Sequence, residues 1–129
     1  MKPQLLITYA TRNGSTTEVA AAIAETARLE GDFQVTLKPV EAFESPANYD
    51  AVIIGSPIYA DQWLPAAEDY LYEYHTLLAQ KPVACFITCM VAANDNPEST
   101  TLKHKYREEA QTLDFQPLRV GIFAGKLKH

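Results

Sequence analysis

Short, continuously apolar runs take turns with longer amphipathic ones from end to end of this chain, and that order suits a parallel β-sheet with helices packed on both of its faces. Five strands are expected. The first is Gln4 to Tyr9, the third Ala51 to Gly55, the fourth Val83 to Cys89 and the fifth Leu118 to Ala124; such unbroken greasy runs belong to strands covered on both sides. The second reads differently. Phe33, Val35 and Leu37 alternate with Asp32, Gln34, Thr36 and Lys38, the pattern of a half-exposed strand at a sheet edge.

Between strands one and two, Val19, Ala22, Ile23, Thr26, Ala27 and Glu30 recur at helical spacing with a mainly apolar stripe, and Gly31 ends the run as a C-cap. Pro65 to Leu78 is the next expected helix, with Pro65 tolerated in its first turn. Glu98 to Leu113 is a third, with a charged outer face from Lys103 to Glu109. The link from Pro39 to Asp50 shows little periodicity and holds at most a short helix. With 129 residues, the chain is expected to be a single domain over 1–129, large enough to bury a real core. No helical run follows strand five, which implies either a shortened chain or a second copy or partner chain covering that side of the sheet.

Composition narrows the function classes. Apolar residues make up 47% and charged residues 21%, too hydrophobic for a disordered chain. The net charge of −5, with scattered basic residues, disfavours nucleic-acid binding, which needs a clustered positive surface. It fits a docking surface for basic partners, and equally a merely well-solvated exterior. No stretch approaches the roughly 18 apolar residues of a membrane span, and no leader pattern opens the chain, so a cytoplasmic protein is expected. Cys85 and Cys89 fall on one face of the fourth strand but roughly 13 Å apart, too far for a disulfide. Two cysteines alone make no zinc site, and both read as small buried hydrophobes, Cys89 near a strand end where a ligand could touch it.

Where strand one gives way to a helix starting at Thr16 or Thr17, six adjacent residues converge on one chemistry: Thr11, Arg12, Asn13, Gly14, Ser15 and Thr16. The first amides of a helix lack intrahelical partners and carry the positive end of its dipole, so an anion there collects several donors. Thr11, Ser15 and Thr16 add hydroxyls, Asn13 an amide, and Gly14 a backbone without Cβ that a phosphate oxygen can approach closely. Ser15 and Glu18 also fit a capping box, so a well-capped helix with no ligand accounts for the same residues.

In an open parallel sheet, ligands sit beyond the carboxyl ends of the strands where strand order reverses; for the order 2-1-3-4-5 that point lies between strands one and three. Three polar loops meet there: Thr11 to Thr16, Ser56 to Trp63, and Thr88 to Asn96. The second brings Pro57, Ile58, Tyr59, Ala60 and Trp63, whose two aromatics could stack on a flat heteroaromatic ring for roughly 0.5 to 1.5 kcal/mol each, or simply cover a helix end. The third brings Cys89, Met90, Val91 and Asn94, under whose backbone a ring could lie. A phosphate loop facing an aromatic loop implies a ligand with phosphate at one end and a planar ring at the other, a description that fits FMN.

Tyr9-Ala10-Thr11-Arg12-Asn13-Gly14-Ser15-Thr16 resembles the flavodoxin phosphate loop, with Asn13 in a place usually held by a hydroxyl, and Ile53-Ile54-Gly55-Ser56-Pro57-Ile58-Tyr59 resembles the segment leading into the flavin loop of that superfamily. Within it, the Thr-Arg-Asn-Gly loop, Met90-Val91-Ala92-Ala93 and the ending Phe123-Ala124-Gly125-Lys126-Leu127 look most like the flavodoxin-domain relatives of menaquinone-dependent protoporphyrinogen oxidase, which continue past this point into a last helix. The resemblance implies a three-layer, flavodoxin-like, doubly wound α/β fold with a five-stranded parallel sheet and no final helix. It implies FMN as cofactor and electron transfer with redox partner proteins or a quinone as the activity. The alternative it offers is a flavin-dependent dehydrogenase of the protoporphyrinogen oxidase type.

No paired carboxylates, nucleophile with a base, or metal constellation stands in the three loops, so no catalytic residue is assigned and a hydrolase or transferase is poorly supported. Asp61, Glu68, His75, His104 and His129 read as solvent-facing. A phospho-accepting response regulator would need an aspartate at the end of strand three, where Gly55 and Ser56 stand. A flavin-free interaction domain on the same fold stays open.

Overall fold

In the computed structural model the described residues are 3–11, 14–31, 33–59, 62–88, 105 and 119–123. Strands β1 (Gln4–Tyr9), β2 (Gln34–Pro39), β3 (Ala51–Tyr59), β5 (Val83–Thr88) and β6 (Arg119–Phe123) run parallel in the order β2-β1-β3-β5-β6, and a two-residue β4 (Gln62–Trp63) pairs antiparallel with the end of β3. The expected strand order therefore holds, with β2 on the edge and partly exposed. Leu6 lies between Thr36 of β2 and Val52 of β3, while Cys85 lies between Ile54 of β3 and Val120 of β6.

Because successive strand residues point to opposite faces, β1 feeds two cores. Leu5 and Ile7 pack with Val19, Ala20 and Ala24 of helix α1 (Ser15–Glu30) and with Phe86. Leu6 and Ala10 join Val52, Ile54, Val83 and Cys85 against Ala67, Tyr70 and Leu78 of helix α2 (Pro65–Ala79). Gly55 is needed on the α1 face, since a Cβ there would collide with the Phe86 ring. Burial of Cys85 pushes its thiol up to about 12.

Several boundaries differ from the sequence expectation, each for a local reason. Helix α1 begins at Ser15, with Gly14 at the N-cap in a left-handed conformation (φ 85°). Ser15 is thus the first helical residue and not the cap, so the Ser15–Glu18 capping box is out of register by one. Gly31 does end α1, donating its N–H to the Ala27 carbonyl at 3.0 Å, but in a right-handed conformation; its missing Cβ leaves room for the Phe33 ring.

The segment after Gly55, expected as a loop, instead prolongs β3 to Tyr59, pairing through Ser56 and Pro57 with β5 and then turning back as β4. Helix α2 keeps Pro65 in its first turn and runs one residue beyond Leu78. The aperiodic link holds two short 3-10 turns, Val40–Ala42 and Pro46–Asn48. Of the expected helix Glu98 to Leu113 only Lys105 is described, and it is helical and exposed. Among the described residues no helix is long and apolar enough to cross a membrane.

Candidate functional site

The carboxyl ends of the parallel strands β1, β3 and β5 lie at one edge of the sheet. Past the last β1 residue, the Ala10 N–H donates to the Gly55 carbonyl at 2.9 Å, carrying the β1–β3 pairing up to the mouth of the first loop. The chain then turns at Thr11, whose Oγ1 accepts the Gly14 N–H at 2.9 Å. That side chain closes the turn and lets Gly14 adopt a positive φ, where a residue with Cβ would be strained.

Among the described residues, nothing lies within 4 Å of where a Gly14 Cβ would stand. The first intrahelical bond of α1 is Glu18 N–H to Gly14 carbonyl, so the amides of Ser15, Thr16 and Thr17 precede the helical ladder, where an anion could take them as donors. An open glycine backbone, a positive helix end and a side-chain-closed turn make a cradle that fits a phosphate.

Thr16, in the second position of α1, is buried (1% exposed), and its Oγ1 lies 3.0 Å from the Oγ1 of Thr88, also 1% exposed, at the last residue of β5. Either hydroxyl could be the donor. Thr88 follows Phe86 by two residues and so faces α1. Sequence reasoning named Thr88 only as the start of the third loop; the available signal was a lone hydroxyl at period two from a ring on the helix-facing side.

Ser56, fully buried, stands in the sequence reading only as the start of the second loop. Its Oγ accepts the Leu64 N–H at 3.0 Å and donates to the Pro57 carbonyl at 2.9 Å, stapling the β3–β4 hairpin to the residue that caps α2. Pro57 and Ile58 are half-buried on that hairpin, with Ile58 opposite Trp63. Trp63 packs against the α2-side core while keeping part of its surface exposed. Tyr59 lies in β3, its backbone paired with Gln62.

Structure therefore brings Thr11, Gly14, Ser15 and Thr16 to one strand-to-helix turn, sets Pro57, Ile58, Tyr59 and Trp63 on the neighbouring hairpin, and adds Thr88. Arg12, Asn13, Ala60, Cys89, Met90, Val91 and Asn94 lie outside the described residues. Glu68 and His75 are exposed, and among the described residues no three His, Cys, Asp or Glu side chains group as a metal site.

A model of the flavodoxin domain matches residues 6–129. The chain belongs to the flavodoxin domain family. The chain is 27% identical over 126 residues to a protein of Escherichia coli named protoporphyrinogen IX dehydrogenase [quinone], covering 96% of this chain and 69% of that one. Rubredoxin oxygen:oxidoreductase of Desulfovibrio gigas superposes with a TM-score of 0.67 at 23% identity, over 99% of this chain and 32% of that one, so this fold is about a third of that larger protein. A Fusobacterium nucleatum flavodoxin variant bound to flavin mononucleotide superposes with a TM-score of 0.59 at 16% identity, covering 93% of this chain and 68% of that one. These likenesses establish the flavodoxin-like α/β fold.

Proposed function

We propose that this protein binds FMN and carries electrons. The observation that carries the reading is the turn from Thr11 to Thr16, a glycine-opened cradle at a helix N-terminus that fits a phosphate, in a chain whose family membership spans nearly its whole length. Thr11, Arg12, Asn13, Gly14, Ser15 and Thr16 would hold the phosphate. The hairpin residues Pro57 to Ala60 with Trp63, and the loop from Cys89 to Asn94, would flank the ring.

When bound, the flavin supplies the redox chemistry; the protein binds it, orients it and decides which edge partners reach. Ser56 holds the hairpin that would border the ring at a fixed distance from α2, so the ring's surroundings are set by buried hydrogen bonds. The electrons would pass to redox partner proteins or a quinone in the cytoplasm.

A second reading, a flavin-dependent dehydrogenase using a quinone or other acceptor, is favoured by the named activity of the Escherichia coli relative. Two measurements decide. Adding FMN to the purified protein should shift the flavin's visible bands; no shift near saturation removes both readings. The FMN-loaded protein, mixed with protoporphyrinogen and a quinone, should give no protoporphyrin fluorescence if it is a carrier, and steady turnover if it is the dehydrogenase.

A further inference from the structure

We propose that Thr88 is a positioning residue for the phosphate site: its hydroxyl donates to Thr16 and thereby turns the Thr16 proton toward the anion. This rests on the FMN-binding reading and adds to it a residue outside the phosphate loop.

The argument is one of proton counting. A hydroxyl has one proton to give and two lone pairs to accept with. A phosphate offers only acceptors, so Thr16 can bond it only by giving up its single proton. The Thr16–Thr88 contact at 3.0 Å then survives only with Thr88 as donor. The result is a directed chain, Thr88 O–H to Thr16 Oγ1 and Thr16 O–H to phosphate, in which the first bond polarises the second.

Burial makes the arrangement effective. Both residues are 1% exposed, so the Thr16–Thr88 bond itself is shielded from water, and among the described residues each hydroxyl is the other's side-chain partner. The two residues lie 72 apart in sequence, on α1 and β5, so the packing of helix on sheet brings them together. Thr88 is also the only hydroxyl in β5, Val83-Ala84-Cys85-Phe86-Ile87-Thr88, and stands at the strand's carboxyl end on the α1 side.

The test uses the full chain and four variants, Thr88→Val, Thr88→Ser, Thr16→Val and the Thr16→Val/Thr88→Val pair, each titrated into FMN and into riboflavin, which lacks the phosphate, with flavin fluorescence quenching as the readout. Thr88→Val should weaken FMN binding about 5- to 10-fold and leave riboflavin binding unchanged, while Thr88→Ser keeps the parent affinity. The double variant should bind FMN no worse than Thr16→Val alone, because Thr88 has nothing left to orient. Equal affinities for the parent and Thr88→Val, equal losses for FMN and riboflavin, or losses that multiply in the double variant would each overturn the proposal. So would a Thr16→Val protein that binds FMN as the parent does. A parent protein that binds no FMN overturns the underlying reading itself, a different outcome from a parent that binds FMN and a Thr88→Val variant that is indifferent.

Discussion

Thr8 carries a hydroxyl into the middle of β1, fully buried, and its Oγ1 has no hydrogen-bond partner among the described residues. An unsatisfied buried hydroxyl costs about 1 to 3 kcal/mol, and valine has nearly the same shape with a methyl in its place. Thr8→Val should therefore raise the urea unfolding free energy by about 1 kcal/mol. An unchanged or lowered value would mean that the hydroxyl is satisfied by bound water. The contrast with Thr16 and Thr88 shows what residue types reveal and what they hide. In Thr11 and Gly14 a hydroxyl and a backbone without Cβ were legible, although the acceptor role of Thr11 Oγ1 toward the Gly14 N–H and the positive φ were added by the turn. The pairing of Thr16 with Thr88 was not, because it depends on the register of α1 over β5, which no local pattern encodes.

The link between β2 and β3 is held by tyrosine hydroxyls. Tyr70 and Tyr74, one helical turn apart on α2 with ring centroids 5.0 Å apart, donate to the backbone carbonyls of Glu44 and Phe43, both at 2.7 Å. Tyr49 donates to Glu44 Oε2 at 2.8 Å, and the Lys81 ammonium donates to the Tyr49 carbonyl at 2.6 Å. Together they fix a segment in which Phe43, 43% exposed, adopts a φ of 47°, a strained value for a residue with a large side chain. Tyr70→Phe should cost about 1 to 1.5 kcal/mol, since the Tyr70 ring is fully buried. Tyr74→Phe, at a more exposed bond, should cost about half a kcal/mol or less because water can replace the hydroxyl. Equal costs in chemical denaturation would contradict this account. Aperiodicity from Pro39 to Asp50 marked a link with little helix, and that much was legible. Its anchorage was not, because the acceptors are carbonyls and carry no sequence signature. The β3–β4 hairpin escaped for a similar reason: Ser56-Pro57 looks like a turn until the β5 strand is there to pair with it.

At the scale of the molecule, strand order and the two-faced core followed from greasy runs, one alternating run and the intervening amphipathic helix patterns, which is why the architecture was readable before any coordinate. The same core makes stability depend on alkaline pH. Burial pushes the Cys85 thiol from its ordinary 9.0 up to about 12, whereas the unfolded thiol ionises near 9, so the unfolded chain loses this proton first. The stability tied to Cys85 is fully present below pH 9 and is lost as pH rises toward 12. Tyr70, raised chiefly by burial, and Tyr49, raised by burial and by its bond to Glu44, add to the loss above pH 10. Urea midpoints should stay level to about pH 8 and fall from pH 9, and Cys85→Ala should flatten the fall between pH 9 and 10 even as it lowers the whole curve. A Cys85→Ala curve parallel to the parent's would contradict it. The central claim concerns the strand-to-helix turn at Thr11 to Thr16, and isothermal titration of the protein with FMN at low salt tests it most directly. The account predicts saturable heat with one FMN per chain, and Thr11→Ala binding weaker by roughly 1 to 3 kcal/mol. Heat no larger than dilution, or an affinity untouched by removing the Thr11 hydroxyl, would contradict it.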